Sequence, residues 1–317
     1  MTPTVTIVMP CYNGAERLGS ALASVSAQTY ADFELVFVDD GSTDGSAALA
    51  SSVPDGRVRV FRQANAGVSA ARNRGLAEAR GEFVAFLDAD DTWHRSFLER
   101  MVEALRARPD AALAYCGWQN VGVQGPRGEP YVPPDYEHGD KTRALLASCP
   151  WPIHAALTRT PEVHRAGGFD SELSVGEDFL LWLEIAFDRP IVRVGEVLAY
   201  YHHHGGAQAT RDRLRASIQS LRAQEIFLRR HPEVASRLGR DAVRSLTLGR
   251  LLEAGYREYW HGDLATARGI FRRVMLRGYG HLRDWKYMLP SLLPFSVHSR
   301  VVALARSSST TEGHNGA

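Results

Sequence analysis

The sequence predicts an α/β fold: a mostly parallel sheet with helices on both faces, followed by a C-terminal helical extension. Three observations predict it. Short β-branched runs alternate with segments of helical period between residues 5 and 116. Polar clusters, "PCYN", "DDGSTD" and "DADD", stand at the ends of three of those runs. From about residue 211 only helical spacing remains.

"VTIVMP" (5–10) is a β-branched run closed by Pro10, a strand. "AERLGSALASVSAQ" places Leu18, Leu22 and Val25 on one helical face. "FELVFVDD" (33–40) is a second buried strand. "GSTDGSAALAS" opens a helix, with Ser42 or Thr43 able to cap it and Asp44 at the positive end of its dipole. "RVRVFRQ" (57–63) is a third strand, "GVSAARNRGLAEA" (67–79) a helix and "GEFVAFLDADD" (81–91) a fourth strand. "SFLERMVEALRA" (96–107) is a helix with Phe97, Met101, Val102 and Leu105 on one face, and "AALAYC" (111–116) a fifth strand. Such a βαβα rhythm makes a parallel sheet, and ligands bind beyond the carboxyl ends of its strands. Three polar strand ends on one rim are therefore a stronger signal than any one of them.

Residues 117–150 are rich in Gly and Pro and read as an irregular insertion. "WPIHAALTRT" (151–160) returns to a strand, 167–188 is a Gly-rich turn, a loop and a helix starting near Asp178, and 191–206 is a strand followed by a polar turn. Between 211 and 278 the chain is helical, and the last two helices, joined by "HGD", resemble a tetratricopeptide-type hairpin. One such pair cannot bury both faces alone, so it should dock on the main domain or on a partner. The stretch 285–307 mixes Trp, Tyr, Phe and Leu with arginines; it suits either a membrane surface or packing on its own domain. The expected organisation is a main domain over 1–208 in two halves, 1–116 and 117–208, a helical region 209–306 and a disordered tail 307–317.

The formal net charge of +1 gives no reason to expect nucleic acid as a partner. Cys11, Cys116 and Cys149 are far apart, odd in number and without metal-ligand spacing, so free thiols in a reducing compartment are expected. The first residues lack a basic segment and a long apolar run, and no stretch of ~20 apolar residues occurs. The expected location is cytoplasmic, with room for peripheral contact on the inner membrane face through 285–306.

Asp88, Asp90 and Asp91 crowd the end of an apolar run. Like charges so close call for a cation. Mg²⁺ or Mn²⁺ fits, because such ions take oxygen ligands from one or two carboxylates plus substrate phosphates. Asp91 or Thr92 is expected to cap the following helix instead. In "DDGSTD" a carboxylate can accept from a base N–H or a ribose hydroxyl, and Gly41 allows backbone shapes that other residues resist. Of Arg72 and Arg74, one is expected to face the site. "GED" at 176–178 lies at a helix start, where a carboxylate either caps the helix or stays ionised as a general base. Histidines 202–204 alternate faces on an extended segment, so at most one or two of them reach the site.

Together these blocks, with "NAGVSAARNRGL" and "GGFD…GEDFLLWL", closely resemble the family 2 glycosyltransferases over roughly residues 4–206. The resemblance implies a GT-A fold and an inverting enzyme. It implies that Tyr12 and Asp40 contact the nucleotide base, that Pro10 and Asp39 line that pocket, and that Arg72 lies near base and phosphates. It implies Asp88 near the ribose and metal, Asp90 as metal ligand, Asp178 as catalytic base with Glu177 beside it, and His204 near metal and diphosphate. His202 stands where Arg is usual, and Ala207 where a small hydroxyl residue is common. Trp182 matches a family Trp but is expected to pack. The implied reaction moves a sugar from a UDP- or dTDP-sugar to a saccharide or lipid-linked acceptor in surface polysaccharide or glycolipid synthesis.

Two other readings compete. "DADDT" fits the D-x-D-x-T signature of haloacid dehalogenase-type phosphatases, whose first Asp is a nucleophile. That motif follows a first strand, however, and the only lysines are Lys141 and Lys286. A non-catalytic sugar-nucleotide-binding or scaffold protein is the third reading, and intact "DAD" and "ED" motifs argue against it.

Overall fold

The structure is a computed structural model that describes residues 2–204, 212–300 and 302–303. The expected 307–317 tail, the expected boundary near 208 and Ala207 lie outside these residues. The chain divides into two compact units, Met1–Gln208 and Ala209–Ala317.

In the first unit the chain runs β1 (Val5–Cys11), α1 (Ala15–Ser26), β2 (Phe33–Asp39), α2 (Ser46–Ser51), β3 (Val58–Arg62), α3 (Val68–Ala77) and β4 (Phe83–Phe86). Every residue of β1, β2 and β4 is buried. That is why they read as continuous apolar runs rather than alternations: helices cover both faces of the sheet. Leu18, Ala21, Leu22 and Val25 form the buried stripe of α1. β4 stops at Phe86, short of the expected 91, and leaves the three aspartates in a turn.

The chain continues through β5 (Thr92–Trp93), α4 (Phe97–Ala107), β6 (Leu113–Val121), α5 (Lys141–Ala147), β7 (Ala156–Arg159), α6 (Thr160–Arg165), α7 (Glu177–Ala186) and β8 (Ile191–His202). All eight strands share one sheet in the order β3-β2-β1-β4-β7-β6-β8-β5. The pairs β3–β2, β2–β1, β1–β4 and β6–β8 are parallel. The pairs β4–β7, β7–β6 and β8–β5 are antiparallel. The sheet is thus parallel in its first half and mixed beyond β4.

The stretch expected to be irregular from 117 to 150 is partly regular. β6 runs on to Val121, and Trp118 and Tyr131 exchange backbone hydrogen bonds of 2.9 Å. α5 is capped by Asp140, whose side chain accepts the Arg143 N–H at 3.0 Å. The end of β6 is half-exposed, which hid it in an apolar-run reading.

The second unit comprises α8 (Arg213–Arg230), α9 (Pro232–Leu238), α10 (Arg240–Arg244), a π turn (Ser245–Gly249), α11 (Arg250–His261), α12 (Leu264–Leu276), α13 (Leu282–Met288) and a 3-10 turn (Leu289–Leu292). α11 and α12 form the expected hairpin. Its apolar residues, Leu251, Leu252, Ile270, Phe271 and Val274, share a core with Leu221 of α8 and Met288 of α13. The hairpin thus packs one face against other helices of its own unit. Among the described residues no helix is long and apolar enough to cross a membrane.

Candidate active site

The carboxyl ends of β1 and β2 are laced together. The Asp40 N–H donates to the Cys11 carbonyl at 2.8 Å. Asn13 donates its N–H to Ser42 Oγ at 2.9 Å and accepts the Thr43 N–H at 2.8 Å. Asp39 is buried; it accepts from the Ser42 N–H at 3.0 Å and from Arg62 Nε at 2.9 Å. Asp40 is also buried. Its carboxylate accepts from Gln63 Nε2 and from the N–H groups of Ala66 and Gly67, all within 2.9 Å. Three donors make Asp40 the peg on which the loop 63–67 hangs. Gly41 lies below that loop with φ 80, and a Cβ there would stand 2.8 Å from the Asn65 nitrogen, so only glycine fits. Pro10 is buried in β1, whereas Tyr12 is 56 % exposed at the rim. Tyr12 thus offers a flat open ring beside a floor built by Asp39 and Asp40.

The "DAD" turn is tied to the end of β8. Thr92 and Trp93 pair with Tyr200 and Ala199. Asp91 accepts the His202 N–H at 2.9 Å, and Thr92 Oγ1 lies 2.8 Å from His202 Nε2. Asp90 Oδ2 stands 3.0 Å from His204 Nε2. His203 turns the other way, to Asn120 at 3.1 Å, which is the alternation the extended segment imposes. Asp91 does not cap α4, whose N-cap position is Ser96. Asp91 is instead buried with its Oδ2 3.1 Å from Nδ1 of the buried His154. Burial and the nearby Asp88 and Asp90 charges push Asp91 well above the ordinary carboxylate range. Burial pushes His154 down to about 4, so its imidazole is neutral near pH 7. His154 lay outside the expected site, and its spacing from Asp91 in sequence gives no sign of their contact.

Arg72 joins the two halves of the site. It is buried, with one guanidinium nitrogen 2.6 Å from Asp88 Oδ1 and another 2.6 Å from Glu177 Oε1. Burial alone would lower its pKa, but the Asp88 and Glu177 carboxylates outweigh burial and hold it above the ordinary value. The guanidinium also lies over the Phe169 ring, 5.3 Å from its centre. Buried and held by two carboxylates, Arg72 acts as an internal clamp. Arg74 pairs with Glu78 on the outer face of α3. Asp88, expected near ribose and metal, gives one carboxylate oxygen to this clamp.

α7 begins after Gly176, which adopts a left-handed conformation (φ 79, ψ 16) and offers no side-chain cap. Glu177 is buried and paired with Arg72. Asp178 keeps some open surface, but its carboxyl is packed in protein and accepts the Phe179 N–H at 2.7 Å. Desolvation, then the adjacent Glu177 charge, push Asp178 up to about 7, against the pull of Arg72. Trp182 is buried and packs on Trp151, 5.8 Å between ring centres.

A divalent ion suits the Asp90–His204 pair. Two ligands held at about 2.1 Å and at right angles stand about 3 Å apart. Asp90 Oδ2 and His204 Nε2 are separated by 3.0 Å. Among the described residues no group of three or more metal-binding side chains occurs, so substrate oxygens and waters would supply the remaining ligands.

The first unit is a Rossmann-like parallel half with a carboxylate-lined rim, extended by a mixed half that carries a buried acid. Comparison with known proteins identifies the family. The model of the family described as "Glycosyl transferase family 2" matches residues 6–159. The succinoglycan biosynthesis protein ExoO of Rhizobium meliloti is 32 % identical over 247 residues, covering 72 % of this chain and 69 % of that protein. The chain belongs to glycosyl transferase family 2. Two solved structures share its GT-A fold. Mannosyltransferase PcManGT from Pyrobaculum calidifontis, in complex with GDP-Man and Mn²⁺, has a TM-score of 0.60 at 23 % identity, over 94 % of this chain and 86 % of that one. TarS of S. aureus, in complex with UDP-GlcNAc, has a TM-score of 0.58 at 18 % identity, over 80 % of each chain. The chain spans only 34 %, 16 % and 26 % of the length of the first curated relatives it matches, about a third or less.

Proposed function

We propose that the chain is an inverting glycosyltransferase that moves a sugar from a nucleotide-diphosphate donor to an acceptor hydroxyl. The observation that carries the reading is the Asp88–Arg72–Glu177 clamp, which fixes the "DAD" turn against the helix start bearing Asp178. Donor end and base are thereby held in one rigid frame, as in-line displacement requires. Asp178 takes the proton from the acceptor hydroxyl. The acceptor oxygen bonds to the anomeric carbon as the bond to the donor's phosphate oxygen breaks, and the electron pair leaves on the diphosphate. One displacement inverts the anomeric centre. With a pKa of about 7, Asp178 is matched to proton transfer at neutral pH.

Asp90 and His204 would hold a divalent cation, which would supply positive charge to offset that of the leaving diphosphate. One carboxylate and one imidazole favour Mn²⁺ over Mg²⁺, since imidazole suits first-row transition ions. Tyr12 stacks on the base, and Asp39 and Asp40 shape the pocket floor, with Pro10 beneath. A UDP- or dTDP-sugar donor and a saccharide or lipid-linked acceptor, in surface polysaccharide or glycolipid synthesis, fit this reading. ExoO, by its name a succinoglycan biosynthesis protein, and TarS with UDP-GlcNAc support it.

The phosphatase reading fails on position. "DADDT" follows β4, the candidate nucleophile Asp88 is clasped by Arg72, and Lys141 is paired with Glu137. The test is a thermal-shift screen of UDP, dTDP, GDP and CDP with and without Mn²⁺, joined to a sugar-transfer assay. One nucleotide with Mn²⁺ is expected to stabilise the wild type but not Asp90→Ala. Asp178→Asn should keep nucleotide binding and lose transfer. Full transfer by Asp178→Asn would overturn the reading.

A further inference from the structure

The second unit carries an apolar surface that its own core leaves open. Leu282 is 93 % exposed, Leu289 49 %, Leu292 57 % and Phe295 51 %. The other side of the same stretch is well anchored. Met288, Ser291 and His298 are fully buried. Asp284 accepts the His281 N–H and the Tyr256 hydroxyl, both at 2.7 Å. Arg272 of α12 donates Nε to the Ser291 carbonyl at 2.7 Å. The outward side chains therefore belong to a packed segment. Pro290 and Pro294 interrupt the helix, so the turn offers Leu292, Leu293 and Phe295 in close succession.

The exposed charge on this stretch and on α12 before it has one sign. Arg273, Arg283, Lys286 and Arg300 are exposed. Between residues 264 and 300 the only acidic side chain is Asp284, which is buried. A whole-chain net charge of +1 hides this local excess.

We propose that this surface docks on an anionic lipid bilayer, with Leu289, Leu292 and Phe295 entering the headgroup boundary and the basic side chains meeting lipid phosphates. A second copy fits less well, because a twofold contact would bring the same positive side chains face to face. Residues 307–317 contain no apolar side chain larger than alanine, so they have little to cover it with. An anionic apolar boundary answers both features at once. The contact lies on the membrane, as no described helix is fit to span it.

The test is co-sedimentation of the full chain with vesicles of phosphatidylcholine alone or with about 30 % phosphatidylglycerol. Partition to the anionic vesicles should be about tenfold stronger and should fall at about 0.5 M salt. Leu292→Glu with Phe295→Glu, and separately Arg283→Glu with Lys286→Glu, should each cut it about tenfold while circular dichroism and Tm stay unchanged. Binding needs neither donor nor transfer, so its failure leaves the glycosyltransferase reading standing. No binding, equal binding to both vesicles, or binding indifferent to both variant pairs would overturn the proposal. So would a dimer, found in sedimentation, that the Leu292/Phe295 pair dissociates.

Discussion

Asp178 is where a single side chain couples stability to chemistry. Its folded pKa, about 7, lies above the value near 4 expected of an unfolded aspartate. A group raised on folding gives stability that is full below the unfolded pKa and is lost as pH rises through the folded one. The wild type should therefore lose stability between about pH 4 and pH 7 relative to Asp178→Asn, by on the order of 1 kcal/mol or more. Urea denaturation across that range measures it. Transfer should run the other way, with kcat/KM rising through about pH 7 as the base ionises. A flat profile would move the base elsewhere. Arg72 is the complementary case. Arg72→Ala would strand the buried Glu177 carboxylate and free Asp88, and should cost about 3–5 kcal/mol of unfolding free energy, read by the same titration. The motif residues themselves were legible in the sequence because short blocks name them. Their partners were not. Asp91 looked like a helix cap, yet it holds an N–H 111 positions away, a distance no local pattern encodes.

At the scale of elements, the first half was legible because each strand is buried on both faces and each helix shows an apolar stripe. Beyond β4 that logic weakens. β5 has only two residues, β7 four, and β6 is half-exposed from Trp118 onward, so their pairing is fixed by tertiary contact rather than by period. The loop between β2 and α2 is governed by a rule that is local. Gly41→Ala would need φ 80 for a side-chain residue and would drive a Cβ into the Asn65 backbone. A loss of about 1–3 kcal/mol is expected, together with weaker nucleotide binding, because the loop 63–67 hung on Asp40 must shift. Calorimetric titration with the nucleotide found in the screen checks it; unchanged affinity would remove that loop from the donor site.

On the scale of the whole chain, the two units each own a core, and the structure gives each its own chemistry. The first unit holds the clamp, Asp178 and the Asp90–His204 pair; the second holds the exposed apolar and basic surface. Independent cores unfold as independent cooperative steps unless a large interface couples them. Scanning calorimetry of the full chain should then show two transitions. Nucleotide with Mn²⁺ binds only the folded first unit, so it should raise one transition by mass action and leave the other in place. Vesicles containing phosphatidylglycerol should act on the other transition, and the Leu292→Glu, Phe295→Glu variant should abolish that response while keeping the nucleotide shift. A single transition moved by both ligands would mean that donor binding and membrane contact share one folding unit, and that lipid can regulate transfer directly instead of only placing the enzyme near its acceptor.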